Sequence, residues 1–202
     1  MTASHPPDGA NCRHGVFLAL RLPGRSLGLL VTGAAGVGKS ELALELIQRG
    51  HALVADDAPF FFSRPGSPRL SGACPPVLQG FLELRGLGVL NIHRLFGDDA
   101  VLTEHPLDFV LRIVPPAEVR LDEHARLHGA WDEENLLGLP YPRLTLPVQA
   151  GRPLALLVET AARVLLDGES GYNAADDLSS RLASISAPTP ESDMPPTGKE
   201  SS

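Results

Sequence analysis

Apolar residues fall in short blocks along the chain, broken by glycine, proline and charge. Residues 16–20 form one continuous apolar run and 27–32 a second, with Pro23 and Gly24 marking the turn between them. Over 40–49 the period changes. Leu42, Ala43, Leu46 and Ile47 share one helical face, Glu41, Glu45 and Gln48 point away, and Gly50 supplies the stop. The run 51–55 reads as a third, buried strand. Residues 59–62, 77–84, 109–114 and 143–148 are further strand candidates. A short helix is expected over 88–96 and a long one over 154–166, with Leu156, Leu157, Thr160, Ala161, Val164 and Leu165 on one side. Strands outnumber helices, so the pattern predicts an α/β chain with a mixed or largely antiparallel sheet rather than a plain βαβ array.

The ends behave differently. Residues 1–13 are polar, with Pro6, Pro7 and Gly9, and read as a flexible arm. Residues 186–202 are rich in proline, serine and threonine and read as a disordered tail. The folded part is then 14–185, one domain without internal repeats. With 202 residues and 43% hydrophobic composition the chain can build its core without disulfides or a structural metal. A formal charge of -7 argues against nucleic acid as the partner. No apolar run approaches the roughly 20 residues needed to cross a bilayer. Cys12 and Cys74 form no metal or redox pattern, and without a signal-like start the expected compartment is the reducing cytoplasm. Of 17 basic residues only Lys39 and Lys199 are lysine. Lys39 therefore stands out as a position that wants a compact ammonium rather than a planar guanidinium.

Lys39 lies in Gly33-Ala34-Ala35-Gly36-Val37-Gly38-Lys39-Ser40, which matches G-x-x-x-x-G-K-[ST]. The glycines let backbone N–H groups wrap phosphate oxygens, and the following helix adds its positive N-terminal end. Lys39 is expected on the β- and γ-phosphates, and Ser40 on Mg²⁺. The pattern also fits a glycine-rich β–α turn, but a strand before and an amphipathic helix after favour the phosphate loop. The third strand runs into Asp56 and Asp57, where phosphoryl-transfer proteins keep acids. Side chains alternate on a strand, so the pair is expected to divide its roles: one a base on the attacking group, the other near metal or its water. Asp-Asp-Ala-Pro also reads as a solvated turn. By spacing alone Glu83 is an outward strand residue, His14 a surface or packing residue, and Arg126 a solvated charge.

Taken in order, these segments resemble HPr kinase/phosphorylase in its C-terminal catalytic domain. The segments are His14-Gly15-Val16, the loop 33–40, 45–51 with Leu53-Val54-Ala55-Asp56-Asp57, 82–90, Pro142-Arg143-Leu144-Thr145-Leu146-Pro147-Val148, Gly151-Arg152, and Gly171-Tyr172-Asn173-Ala174 at the turn into a terminal helix. The resemblance is to the short form, with the catalytic domain only. It implies a P-loop kinase domain with a mixed sheet, HPr kinase/PEP carboxykinase-like. It implies a protein-serine kinase using ATP and Mg²⁺ on an HPr-like phosphocarrier, and a phosphorylase that removes the same phosphate with inorganic phosphate. Carried over, Asp56 is the base and, in reverse, the acid. Lys39, His14 and Arg126 contact phosphate, with Arg120 a rival for the last place. Ser40 and Glu83 help hold Mg²⁺, with Asp57 close by. A homo-oligomer is implied, a hexamer in the family. Two other readings compete: a nucleotide-binding regulatory module that docks to a sensor kinase or phosphocarrier with little catalysis, and a small-molecule kinase.

Overall fold

A computed structural model of the chain describes residues 10–119 and 122–186. The chain divides into two units, Met1–Leu166 and Asp167–Ser202. The first unit is built on a six-stranded mixed sheet and a smaller four-stranded one.

In chain order the strands are β1 (Asn11–Cys12), β2 (Val16–Leu22), β3 (Arg25–Thr32), β4 (Ala52–Ala55), β5 (Phe60–Ser63), β6 (Leu70–Ala73), β7 (Phe81–Leu84), β8 (Gly88–Asn91), β9 (Glu104–Pro106), β10 (Phe109–Val114), β11 (Trp131–Leu136) and β12 (Leu139–Pro147). The helices are α1 (Lys39–Gln48), α2 (Ile92–Phe96), α3 (Glu123–His128), α4 (Leu154–Glu169) and α5 (Ala174–Ser186). The large sheet has the order β11-β12-β10-β3-β2-β4, the small one β1-β5-β6-β9, and β7-β8 is a separate hairpin. Among the described residues no helix is long and apolar enough to cross a membrane.

Strand alternation sorts the core onto the two faces of the large sheet. Leu18, Leu29 and Leu111 point to one side, where they meet Leu42, Leu46 and Ile47 of α1 and Leu82 and Leu84 of β7. Phe17, Leu30 and Val110 point to the other, against Phe61 and Leu70 of the small sheet. Each fully buried leucine or phenylalanine stabilises the fold by about 1.5–3 kcal/mol.

The pairing directions decide where the chemistry gathers. β3 and β4 both run antiparallel to β2, with Val16 opposite Val31 and Phe17 opposite Ala55. The C-terminal ends of β3 and β4 and the N-terminal end of β2 therefore share one edge. That edge carries the loop 33–40, Asp56 with Asp57, and His14. β10 runs parallel to β3 on its other side, with Arg112 opposite Thr32.

Several elements differ from the pattern reading. Residues 88–91 are strand, not helix, because glycines at Gly86 (φ 89°) and Gly88 (φ 80°) turn the chain back so that Leu90 pairs with Leu82; only Ile92–Phe96 is helical. The expected strand over 77–84 is confined to β7, since Pro75 and Pro76 open a 3₁₀ turn and Gly80 (φ 76°) reverses the chain. The buried stripe of α4 is Ala155, Val158, Ala161 and Ala162, while Leu156 and Val164 are exposed. Small side chains let the helix lie close to the sheet, and this beats the bulkier leucine stripe. Asn11 and Cys12, expected in the flexible arm, pair with β5. The rest of that arm, 1–9, and the tail beyond 186 lie outside the described residues.

In the second unit α5 is capped by Asn173, whose side-chain oxygen accepts from the N–H of Ala175 at 2.9 Å. Arg181 and Asp177 pair one turn apart at 2.8 Å.

Candidate active site

The loop 33–40 leaves β3 in a tight bend. A Cβ at Gly33 would stand 2.3 Å from the Ile113 carbonyl oxygen, so only glycine lets the chain leave beside β10. Gly38 (φ 105°) sits at the start of α1, with no side chain capping the helix, and the first-turn N–H groups are left for a ligand. Lys39 is buried and has an acceptor for each ammonium proton: the Gly33 and Ala34 carbonyls at 3.1 Å each, and His14 Nε2 at 3.2 Å. This threefold geometry suits an ammonium and explains the lone lysine in the body of the chain.

His14 is oriented from both sides. Its Nδ1 lies 2.7 Å from Asp57 Oδ1. An imidazole that accepts from Lys39 at Nε2 carries its proton at Nδ1, where it donates to Asp57.

Asp56 and Asp57 both face the cleft, which the alternation of a regular strand forbids. Asp57 adopts φ 63°, in the left-handed region that Asp tolerates, and the Ala58 N–H reaches back to the Asp56 carbonyl at 2.8 Å. That turn swings Asp57 toward His14 and separates the roles of the two acids. Asp56 accepts from Ser40 Oγ at 3.3 Å and from the Glu83 N–H at 2.9 Å. Burial raises the Asp56 pKa above the ordinary carboxylate range, and those two hydrogen bonds oppose the rise. On the β6 side, burial and then the Asp56 charge push the Cys74 thiol up to about 11, so this cysteine is inert.

The cleft is lined by His14, Ala35, Gly36, Gly38, Lys39, Ser40, Glu41, Asp56, Asp57, Glu83 and Arg85, and encloses about 200 Å³. That volume is of the size of phosphate groups rather than of a whole nucleotide. The expected site residues His14, Lys39, Ser40, Asp56, Asp57 and Glu83 thus come together from four separate segments. Arg126 does not join them: it is exposed on α3, whose first turn is capped by Asp122 through the Ala125 N–H at 2.8 Å. Its rival Arg120 lies outside the described residues. Arg85 lines the cleft without having been expected there. The usable signal was its place two residues after Glu83 in a stretch where Leu82 and Leu84 are buried.

Among the described residues no group of three or more His, Cys, Asp and Glu side chains is arranged to hold a metal. Mg²⁺ takes one or two protein ligands and completes its shell with phosphate oxygens and water. Ser40, Asp57 and Glu83 line the cleft and are the oxygen-bearing side chains that could supply such ligands.

The whole described core of the chain matches a known family, the HPr Serine kinase C-terminal domain, over residues 10–182. The HPr kinase/phosphorylase of Xylella fastidiosa strain M12 is 43% identical over 173 residues, covering 85% of this chain and 53% of the relative. That of Stenotrophomonas maltophilia strain K279a is 47% identical over 152 residues, covering 75% and 46%. The chain spans about half the length of these curated relatives. A solved structure, the Hpr(Ser) kinase/phosphatase from Coxiella burnetii, superposes with a TM-score of 0.73 at 34% identity, covering 85% of this chain and 98% of that one. With the family model matched over most of its length, the chain belongs to the HPr serine kinase C-terminal domain family.

Proposed function

We propose that the chain is an ATP-dependent protein-serine kinase, and a phosphate-dependent phosphorylase, acting on a regulatory serine of an HPr-like phosphocarrier. The observation that carries this reading is a half-buried carboxylate, Asp56, hydrogen-bonded to the Ser40 hydroxyl beside a phosphate loop whose lysine is held by backbone and His14.

In the forward direction the carrier serine oxygen attacks the γ-phosphorus of ATP, the bond to the β-phosphate oxygen breaks, and Asp56 takes the serine proton. In reverse, an oxygen of inorganic phosphate attacks the phosphoserine phosphorus. Pyrophosphate forms, and protonated Asp56 returns its proton to the departing serine oxygen. One carboxylate serves both directions by microscopic reversibility. A raised pKa suits that double duty, since it makes the protonated form accessible.

Lys39 binds phosphate oxygens by exchanging its loop carbonyls for them, and His14, held by Asp57, keeps the ammonium aimed. The α1 N-terminus holds the phosphates in place. Ser40 and Glu83 would hold Mg²⁺, which would supply positive charge against the phosphates. Asp57 orients His14 through its contact with Nδ1. Arg126 is assigned to the carrier's phosphate only if α3 moves or a second subunit presents it, and an oligomer, hexameric by resemblance, supplies that subunit.

The compartment proposed is the cytoplasm, where HPr-type carriers and ATP meet. A regulatory module with little turnover does not need a half-buried base beside the loop, and relatives named for the enzyme activity weigh against it. The reading is tested in the reverse direction. Serine-phosphorylated carrier incubated with the protein, Mg²⁺ and inorganic phosphate must release pyrophosphate; release of no pyrophosphate by protein that binds ATP would count against it.

A further inference from the structure

We propose that His124 and His128 of α3 form a two-nitrogen site for a divalent transition-metal ion, separate from the phosphate cleft. The site shares no residue with the phosphotransfer reading above and does not depend on it.

Three observations converge. First, the spacing is right. The segment reads His124-Ala125-Arg126-Leu127-His128, and both histidines lie inside the helix. Side chains four apart on a helix stand one above the other on one face, which is how paired histidines hold an ion. Second, the two rings have met: their centres are 4.5 Å apart and their planes differ by 21°. Third, their nitrogens are unclaimed. His14 meets Asp57 and Lys39, His51 meets Glu159, His93 faces Asp98, and His105 meets Ser26 and the Pro106 carbonyl. Among the described residues His124 and His128 make no hydrogen bond or ion pair, and each has only the other's ring as partner.

The ring separation can be compared with a chelate. An ion about 2.1 Å from a ring nitrogen stands about 3.2 Å from that ring's centre. Two rings bound near a right angle then have centres about 4.5 Å apart, and a tetrahedral angle spreads them to about 5.2 Å. The observed 4.5 Å fits the right angle. The nearly parallel planes must still turn. Rotation about Cβ–Cγ, an axis through the ring centre, swings the nitrogens toward a shared point and leaves the centres in place. That torsion has a broad, soft profile.

Imidazole donors select the ion class. They suit Cu²⁺, Ni²⁺ and Zn²⁺, with Cu²⁺ tightest, whereas Mg²⁺ takes oxygen ligands. No group of three or more His, Cys, Asp and Glu is arranged for a metal among the described residues, so the remaining positions of the ion fall to water or an incoming ligand. The site also acts on its own helix. With six residues α3 is too short to hold alone, and an ion bridging its two turns would lock it. Arg126 lies two positions from each histidine, about 200° around the helix, so the ion leaves that side chain uncovered.

The test is titration of the full chain with Ni²⁺, read by the fluorescence of its single tryptophan. Trp131 packs beside the end of α3, where a Cβ at Gly129 would stand 2.9 Å from its Cδ1. Wild type should show saturable quenching with one Ni²⁺ per chain, and excess Mg²⁺ should neither quench nor compete. His124→Gln and His128→Gln should each weaken Ni²⁺ binding about a hundredfold, the advantage of a second tethered ligand. Glu123→His combined with His124→Gln keeps two histidines but sets them five apart on different faces, and should not restore binding. Saturating Ni²⁺ should slow tryptic cleavage after Arg126 several-fold in wild type and leave the single variants unprotected. Absence of saturable quenching up to about 1 mM Ni²⁺, a loss of affinity under about threefold in both single variants, or full binding by the five-apart variant would each overturn the assignment.

Discussion

Replacing Asp56 by asparagine separates chemistry from structure. The carboxylate holds two donors, the Glu83 N–H at 2.9 Å and the Ser40 hydroxyl at 3.3 Å. An asparagine of the same shape keeps its oxygen on the Glu83 N–H and turns its NH₂ toward Ser40, whose hydroxyl rotates to accept. Each charge-assisted bond becomes a neutral one, a loss of about 1 kcal/mol apiece. Removing a half-buried charge offsets part of this, because partial burial is what raises the Asp56 pKa. The net change in stability is about 1 kcal/mol or less. ATP affinity should hold or improve, since a negative charge beside the phosphates is gone. Catalysis loses its proton acceptor, which is worth about 10²–10⁴ in rate, or about 3–5 kcal/mol of barrier. Single-turnover transfer of labelled phosphate from ATP to the carrier, with ATP binding and thermal melting on the same preparations, reads all three quantities. The reverse reaction should fall by a similar factor. A variant that binds ATP and still transfers at more than about one-tenth of the wild-type rate would refute the base assignment, because that loss is smaller than any general-base contribution.

Lys39→Ala should lower ATP affinity about tenfold or more and abolish measurable transfer. Lys39→Arg should not rescue it, since a planar fork cannot meet two loop carbonyls and His14 together; fluorescent-nucleotide titration and label transfer check both. Gly28→Ala should destabilise the fold by about 3 kcal/mol, a drop of about 10 °C in Tm by calorimetry, because its Cβ would stand 1.9 Å from the Pro106 carbonyl oxygen where β3 crosses β9. His51 is buried and neutral: its Nδ1 accepts from the Arg21 N–H at 3.0 Å, its Nε2–H donates to Glu159 at 3.0 Å, and burial lowers its pKa below the usual 6.5. Below pH 6.5 the unfolded chain therefore takes up a proton that the folded chain refuses, so the stability present above 6.5 declines until the lower folded value is passed. Denaturation midpoints followed from neutral pH downward should show that slope in wild type, and His51→Gln should flatten it.

How much of this was legible in sequence depends on how local each feature is. The loop 33–40 is contiguous, and its glycines, lysine and helix carry their own geometry, so Lys39 and Ser40 fell where expected. Asp56 was readable as the residue after a buried strand. Its partnership with the Glu83 backbone was not, because that needs the β7–β8 hairpin folded against the edge of the sheet. Arg85 was hidden for the same reason: the pattern marks it as an outward residue, and only the hairpin's docking turns outward into cleft-facing. The strand β11 reads as a polar loop because Asp132, Glu133 and Glu134 dominate it. Arg143 on β12 offsets two of those charges, with Asp132 at 2.6 Å and Glu134 at 3.3 Å. The face of α4 was misread because hydrophobicity favoured leucines, whereas close packing on a sheet favours Ala155, Ala161 and Ala162. Nonlocal packing decided each of these, and a single sequence carries little of it.

The most direct test of the central claim is mass spectrometry of a purified HPr-type carrier incubated with this protein, ATP and Mg²⁺, then with excess inorganic phosphate. The account predicts one phosphate added to a single serine, removed again when inorganic phosphate is supplied, with pyrophosphate as the product. A carrier that stays unmodified while the protein binds ATP would contradict it.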